Sequence, residues 1–417
     1  AAGSVPLPNS GTFKDPRHRF ESSDIDNSSG VYTVTLTTYT ALGCSNSISK
    51  PLTILDTLKR TSSNPYRMEE LDGGMGYWRL EDLNGNSSWE FGTPAKPLQS
   101  ELQSNAWVTG LITDYVALEN SYLNSPCLDI ELINRPVISM NMVLDTESKR
   151  DGVVLEFSKD GGVTWVAAGA IDNGLNWFNT TGFGFGNIGS SSLGWSGRAP
   201  SLADNLESDT LVLAVKALDN INNLSAIERR NIRFRFVFTT DENNLPDNSG
   251  NSIYEGFGFN NLTIDSRDRI SLIENFTNNA SPRYGDNNTV FSNIPNTEVA
   301  KIQYHVGFPD TDSEYEVNTI DPLARAAYYG IPMTDQQIPR SYIDGISDGA
   351  LDPNNNAIPN LANWAETRFS KQSLKTSDFD VSVESLDATD NSYFKIRAEV
   401  TAKTDIGPGK RPVLHLA

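Results

Sequence analysis

The chain has 417 residues, with 33 Lys and Arg against 53 Asp and Glu and a formal net charge of −20. That balance supplies no basic stripe to neutralise phosphate, which argues against nucleic acid as a partner, and no apolar run approaches the ~20 residues of a membrane-crossing helix. Thirty-one Gly and 21 Pro, set among many Asn, Ser, Thr and Asp in a chain longer than one ordinary core, point to a mainly β, multidomain protein.

Near the start, Tyr32, Val34 and Leu36 alternate with Val31, Thr33 and Thr35. This is the period of a strand, with the first three expected to face a core. Residues 41–47 read as a turn and residues 51–55 as a closing strand. Asp15-Pro16, His18 and Phe20, followed by Gly30-Val31-Tyr32-Thr33-Val34 and Gly43-Cys44-Ser45, resemble the second half of a PKD-like immunoglobulin sandwich over residues 1–56. The resemblance implies a spacer or adhesive module. A linker follows over residues 56–64. Asp56-Thr57-Leu58, and later Asp209-Thr210-Leu211, resemble the Asp-Thr-aliphatic O-glycosylation signal of Bacteroidota, with Thr57 and Thr210 as acceptors; three residues make an unspecific motif.

The clearest stretch is 151–165, DGVVLEFSKDGGVTW. Val153, Leu155 and Phe157 alternate as a half-buried strand, Lys159-Asp160-Gly161-Gly162 supplies a tight turn, and Val163 and Trp165 resume on a returning strand. Trp165 is expected to be buried. In residues 232–238 and 255–264 the aromatics again fall on every second residue, so one face of each strand packs on an opposing sheet. With Trp89-Glu90-Phe91-Gly92, Ala106-Trp107-Val108 and Gly194-Trp195-Ser196-Gly197, these segments resemble a MAM-like jelly roll over residues 64–267. Where that family has Asp in the closing motif, this chain has Asn260 and Asn261.

Two binding chemistries suit a jelly roll. Trp89, Trp107, Trp177 and Trp195 are either core aromatics or a stacking platform for a glycan. Asp241 and Asp247, with Glu242, Asn243 and Asn248, form an oxygen-rich loop that is either solvated or holds Ca²⁺, the one cofactor considered. The module contains no histidine, so no Ser-His-Asp set can be assembled in it. Cys44 and Cys127, the only thiols, read as small buried hydrophobes.

From residue 270 the pattern becomes strand (270–278), strand (299–306), helix (320–329) and strand (338–345), a small α/β unit. Glu274-Asn275-Phe276-Thr277, Tyr304-His305-Val306-Gly307-Phe308-Pro309, Ala324-Arg325-Ala326-Ala327-Tyr328-Tyr329-Gly330 and Ile338-Pro339 resemble the outer-membrane thioredoxin-like family of Bacteroidota. The resemblance covers residues 270–417, including Trp364 and a β-rich extension. It implies a cis-proline at Pro339. Where the family carries a Cys-x-x-Cys pair, this chain has Asn278-Asn279-Ala280-Ser281-Pro282-Arg283. Thiol–disulfide exchange needs an attacking and a resolving thiol, so oxidoreductase chemistry is excluded. Ser281 has no base in view.

The expected fold is therefore mainly β and multidomain: immunoglobulin-like strands, a jelly-roll β-sandwich, then a thioredoxin-like α/β unit with a β-rich extension. The resemblances imply a non-catalytic protein, secreted or on the outer-membrane surface and exported by the type IX pathway. Its role would be adhesion or protein–protein assembly. Its partners would be outer-membrane or surface proteins, a larger adhesin, the export machinery or a glycan. The alternative is an accessory, carbohydrate- or protein-binding region of a larger secreted hydrolase. Both ends read as cut patterns, as expected of a piece of a longer polypeptide.

Overall fold

A computed structural model describes residues 31–40, 42–53, 56–82, 85–181, 193–199, 202, 209–242, 254–267, 269–294, 299–332, 338–345, 361, 371–377, 379–386 and 395–403. The fold is mainly β, and the chain divides into two compact units, Ala1–Leu58 and Lys59–Ala417.

In the first unit, β1 (Val31–Tyr39) and β2 (Ser45–Thr53) form an antiparallel hairpin. The second strand starts earlier than the sequence pattern indicates. Its hydroxyls bridge across the hairpin, Thr35 to Ser49 and Thr37 to Ser47, each at 2.8 Å, and carry the pairing through the stretch read as a turn. Val34 and Leu36 do not face a core. They are 46% and 63% exposed, and among the described residues the hairpin pairs with no further strand. Cys44 is also exposed and Cys127 half-buried, so neither is the fully buried small hydrophobe expected.

The second unit opens with β3 (Leu58–Thr61), β4 (Tyr66–Arg67), β5 (Arg79–Asp82), β6 (Trp89–Gly92), β7 (Ala106–Thr109) and β8 (Asn120–Asn124). Next come β9 (Leu128–Leu132), β10 (Pro136–Asp145), β11 (Gly152–Ser158), β12 (Val166–Ala167), β13 (Thr180–Thr181), β14 (Leu193–Gly194) and β15 (Leu211–Ala217). Two short helices, α1 (Asp219–Asn222) and α2 (Ala226–Arg229), precede β16 (Arg233–Thr239) and β17 (Gly256–Ser266). One sheet runs β15-β10-β17-β7-β6, with β4 also on β17, and the other runs β12-β11-β16-β8-β5.

The aromatics legible at alternate positions meet between these sheets. Phe234, Phe236 and Phe238 on β16 and Phe257 and Phe259 on β17 are fully buried, and Phe236 lies 4.4 Å from Phe259 between ring centroids. The hairpin of β11 and β12 exists, with Phe157 opposite Val166. All seven residues of β11 are buried, not every second one. Glu156 can be buried because it pairs with Arg235 at 2.7 Å, and that guanidinium lies 4.3 Å over both Tyr122 and Trp165. Trp165 is half-buried and Val163 80% exposed, since Asp160 pulls the connection into a local knot. Its Oδ1 accepts from Ser158 Oγ (2.7 Å), Val163 N (3.0 Å) and Thr164 N (2.8 Å). Gly161 and Gly162 take φ of +74° and +102° there, where a side chain would be strained.

The two asparagines of the closing strand have structural roles. Asn260 is buried, and its Nδ2 donates to Leu102 O and Ser104 Oγ, each at 2.9 Å. A carboxylate could not donate either bond. Asn261 holds φ +50° beside a bulge in the β10–β17 register, a conformation asparagine tolerates well.

After β17, the chain forms β18 (Ser271–Thr277), α3 (Tyr284–Asn293), β19 (Val299–His305), α4 (Ser313–Val317), α5 (Ile320–Tyr328) and β20 (Arg340–Ile343). β18 is central, parallel to β19 and antiparallel to β20. Ile273, Val299 and Ile343 pack with Phe291 of α3, whereas Phe276, Tyr304 and Tyr342 pack with Ala326 of α5. Helices thus cover both faces of this small sheet. A final hairpin joins β21 (Phe379–Leu386) to β22 (Lys395–Ala402). No helix among the described residues is long and apolar enough to cross a membrane.

Two expected outcomes follow from the buried polar groups. Asn260→Asp should lower unfolding stability by at least ~2 kcal/mol at pH 7, since two acceptors lose their donor and a charge is buried. Part of that loss should return near pH 4, where the acid can donate; urea titrations at both pH values would show it, and an unchanged midpoint at pH 7 would refute it. The second concerns Asp151, fully buried, whose Oδ2 accepts from Tyr115 Oη at 2.7 Å and Oδ1 from Asp241 N at 2.8 Å. Burial raises its carboxyl from 3.8 to about 6. The folded state then binds more protons than the unfolded between those values, so stability falls as pH rises through that window, by up to about 3 kcal/mol. Asp151→Asn keeps the Asp241 N–H on its amide oxygen and reverses the other bond, its Nδ2 donating to Tyr115 Oη, and should gain on the parent as pH rises from 4 to 8; a gap between them that does not vary with pH would sink this account.

Candidate functional site

The residues singled out from sequence are scattered by the fold. Trp89, Trp107, Trp177 and Trp195 are 4%, 7%, 2% and 0% exposed, which corrects the stacking-platform reading. Their faces are taken: Trp89 packs on Phe236, Phe238, Phe257 and Phe259, Trp107 on Phe91, and Trp177 on Trp195 at 4.9 Å. Asp241 is buried, lies 3.5 Å from Arg150 and donates its N–H to Asp151. Asp247, Asn243 and Asn248 lie outside the described residues, as does Trp364. Among the described residues no three His, Cys, Asp or Glu side chains stand close enough to hold a metal. Thr57 is exposed and Thr210 half-buried.

The bond before Pro339 is cis, as is that before Pro309. The loop read as a replaced Cys-x-x-Cys is hydrogen-bonded to the segments that carry both. Asn278, fully buried, donates Nδ2 to Val306 O and Asp310 O at 2.7 Å each. Ser281 Oγ donates to Ile338 O at 2.5 Å. A carbonyl cannot accept the proton outright, so this contact fastens the loop without activating the hydroxyl. His305 Nδ1 pairs with Asp312 at 2.9 Å, and Asp312 also accepts from Asn279 N and caps α4 through Glu314 N. Burial pushes the Asp312 carboxyl up, but these donors outweigh it and hold the group below its ordinary range.

Another opening lies beside β19. A cleft of about 710 Å³ is bounded by β18 and β19 on one side and by α4 and α5 on the other. Glu274 of β18 reaches into it and is gripped by Arg325 of α5, Nε to Oε1 at 2.6 Å and Nη2 to Oε2 at 2.7 Å. Tyr329 Oη donates to the same carboxylate at 2.5 Å. Burial alone would raise Glu274; Arg325 and Tyr329 reverse this and leave it below the ordinary carboxylate range. Tyr329 is raised, by burial first and then by the Glu274 charge. The Arg325 guanidinium lies 4.7 Å over Tyr328, which is 62% exposed at the cleft mouth. Glu314 and Asp321 line the same cleft.

Sequence reasoning noted Glu274 and Arg325 only as parts of a resemblance. Their pairing spans 51 positions, but the Arg325–Tyr329 spacing of one helical turn was a usable sign that both point the same way.

No protein-family model matches the chain, and no curated protein matches it. Among solved structures, the K1 cleaved adhesin domain of Lys-gingipain from Porphyromonas gingivalis is similar at 12% identity, over 45% of this chain and 90% of that one, with a TM-score of 0.22. The K3 adhesin domain of the same protein is similar at 10% identity, over 45% and 91%, with a TM-score of 0.23. A structure of carbohydrate-binding modules of the β-sandwich superfamily is similar at 10% identity, over 56% and 74%, with a TM-score of 0.27. Likenesses this slight carry no inference.

Glu274→Gln should cost about 3 kcal/mol, because the partly buried Arg325 then faces a neutral amide. Glu274→Gln combined with Arg325→Met should recover part of that loss. A double variant less stable than the single, in chemical denaturation, would refute the pairing as the source of the cost.

Proposed function

We propose that this chain is a non-catalytic binding protein of the cell surface, serving adhesion or protein–protein assembly, with the cleft beside β19 as its docking site. The observation that carries the reading is the state of the cleft's ionisable groups. Glu274 is clamped by Arg325 and Tyr329 and held below its ordinary range. General acid–base work needs a group poised near the working pH and free to exchange its proton. A fixed, charged wall with an exposed tyrosine at its mouth instead suits recognition of a polar partner surface.

The reading extends to the parts recognised by resemblance. A PKD-like segment over residues 1–56, a MAM-like jelly roll over 64–267 and a thioredoxin-like unit over 270–417 would present this cleft outside the cell after type IX export. Support for the thioredoxin-like unit comes from the parallel β18-α3-β19 crossover.

A second reading, glycan binding by an accessory region of a larger secreted hydrolase, draws on another cavity. It measures about 660 Å³ and is lined by the hydroxyls of Ser139, Thr263 and Ser377 and by Phe379.

Tagged chain cross-linked on intact cells should retain a defined outer-membrane protein, and Tyr328→Ser should cut that retention about tenfold, roughly 1.4 kcal/mol of binding. Equal retention by the variant would remove the cleft from the reading. Binding on a glycan array that Phe379→Ala abolishes would favour the second reading instead.

A further inference from the structure

Among the described residues the three-stranded sheet runs β19-β18-β20, so β19 is its edge. Its exposed backbone groups can be identified. Val306 N–H donates to Thr277 O, and Thr277 lies opposite His305. In a parallel ladder each residue turns its N–H and C=O the same way and its neighbours turn theirs oppositely, so Ile302 and Tyr304 address β18. Lys301, Gln303 and His305 address the open side. Ile302 and Tyr304 side chains lie on one face of the sheet and those of Gln303 and His305 on the other, yet all four line the same cleft. The cleft therefore wraps along the strand edge rather than over a face.

The usual guards of an open edge are missing. Residues 299–305 contain no proline, and their one lysine is turned away. Lys301 Nζ donates to Phe291 O at 3.0 Å and Ile294 O at 2.9 Å, closing the end of α3. The charges facing the edge are of one sign. Arg325 is neutralised by Glu274 and His305 faces Asp312, whereas among the described residues Glu314 and Asp321 meet no cation.

Resting on the cleft reading above, we propose that β19 accepts a fourth strand: an extended segment of a partner protein, carrying lysine or arginine opposite Glu314 and Asp321. Four residues, 302–305, line the cleft, which gives the added strand about 13 Å of contact. Main-chain bonds to Gln303 and His305 hold it, and the acidic rim selects its side chains.

The test uses a fluorescein-labelled, end-capped peptide, Thr-Lys-Val-Lys-Val-Lys-Thr, titrated with the full chain by anisotropy. Saturable binding is expected, weakened at least about tenfold by glutamate in place of lysine and again by Asp321→Lys. Gln303→Pro removes an outward N–H without touching the β18 ladder, and should weaken binding to a similar degree while thermal unfolding stays near the parent's. Two further peptides, N-methylated at the lysines or at the valines, separate strand addition from loose electrostatic contact: alternate amides face opposite edges, so one should bind and the other fail. Binding of both or of neither overturns the proposal, as does no saturable binding of the parent peptide. If the strand fails while Tyr328→Ser still abolishes retention on cells, the cleft reading survives without it.

Discussion

Trp89 sits where the two sheets of the sandwich meet. It belongs to β6, yet its ring centroid lies 6.2 and 6.1 Å from Phe236 and Phe238 of the opposing sheet. Phe257 and Phe259 of its own sheet lie 6.1 and 6.3 Å away. Burial of one such side chain is worth about 5 kcal/mol at ordinary transfer values. An interior filled with rings offers few hydrogen bonds, so every polar group drawn in beside it must bring its own partners. Glu119 is a case: fully enclosed, it accepts from Ser88 N, Ser88 Oγ and Ser121 Oγ. Asn260 Nδ2 and Glu156 Oε2 answer the same demand, whereas Asn260 Oδ1, Glu156 Oε1 and the Nε1 of Trp89 itself are buried without a partner among the described residues.

Much of this architecture was legible because alternation is a local property. The aromatics of β16 and β17 declare which side of each strand is apolar, and Asp321-Pro322 and Gly330 bracket α5 by their own backbone preferences. Alternation does not say what lies opposite. Val34 and Leu36 obey the pattern and remain exposed, and the four tryptophans could be assigned to core or surface only once both sheets were in place. Helix α3 went unread because Tyr284–Asn293 includes Gly285 and three asparagines and buries only Asn287 and Phe291. Its position comes from packing on Ile273 and Val299, not from propensity.

The site was legible in part. That residues 278–283 contain no cysteine follows directly from residue types. What those residues do does not. Asn278 and Ser281 bind carbonyls on segments far along the chain, Val306, Asp310 and Ile338. Such contacts exist only after tertiary closure.

The clamp on Glu274 fixes one wall of the cleft from within the unit. A bidentate guanidinium, a phenol bond and two aromatic faces fix Arg325, so one wall is rigid before any partner arrives. Rigidity of this kind reduces the ordering cost of association, which otherwise offsets much of what a modest interface gains. It also removes the proton mobility that acid–base chemistry needs. Among the described residues the same arrangement leaves the acidic rim without a cation of its own, since both the Arg325 and Lys301 cations are turned to partners within the unit. A preorganised wall, an unguarded strand edge and an uncompensated negative rim all favour a basic, extended partner over a reacting substrate.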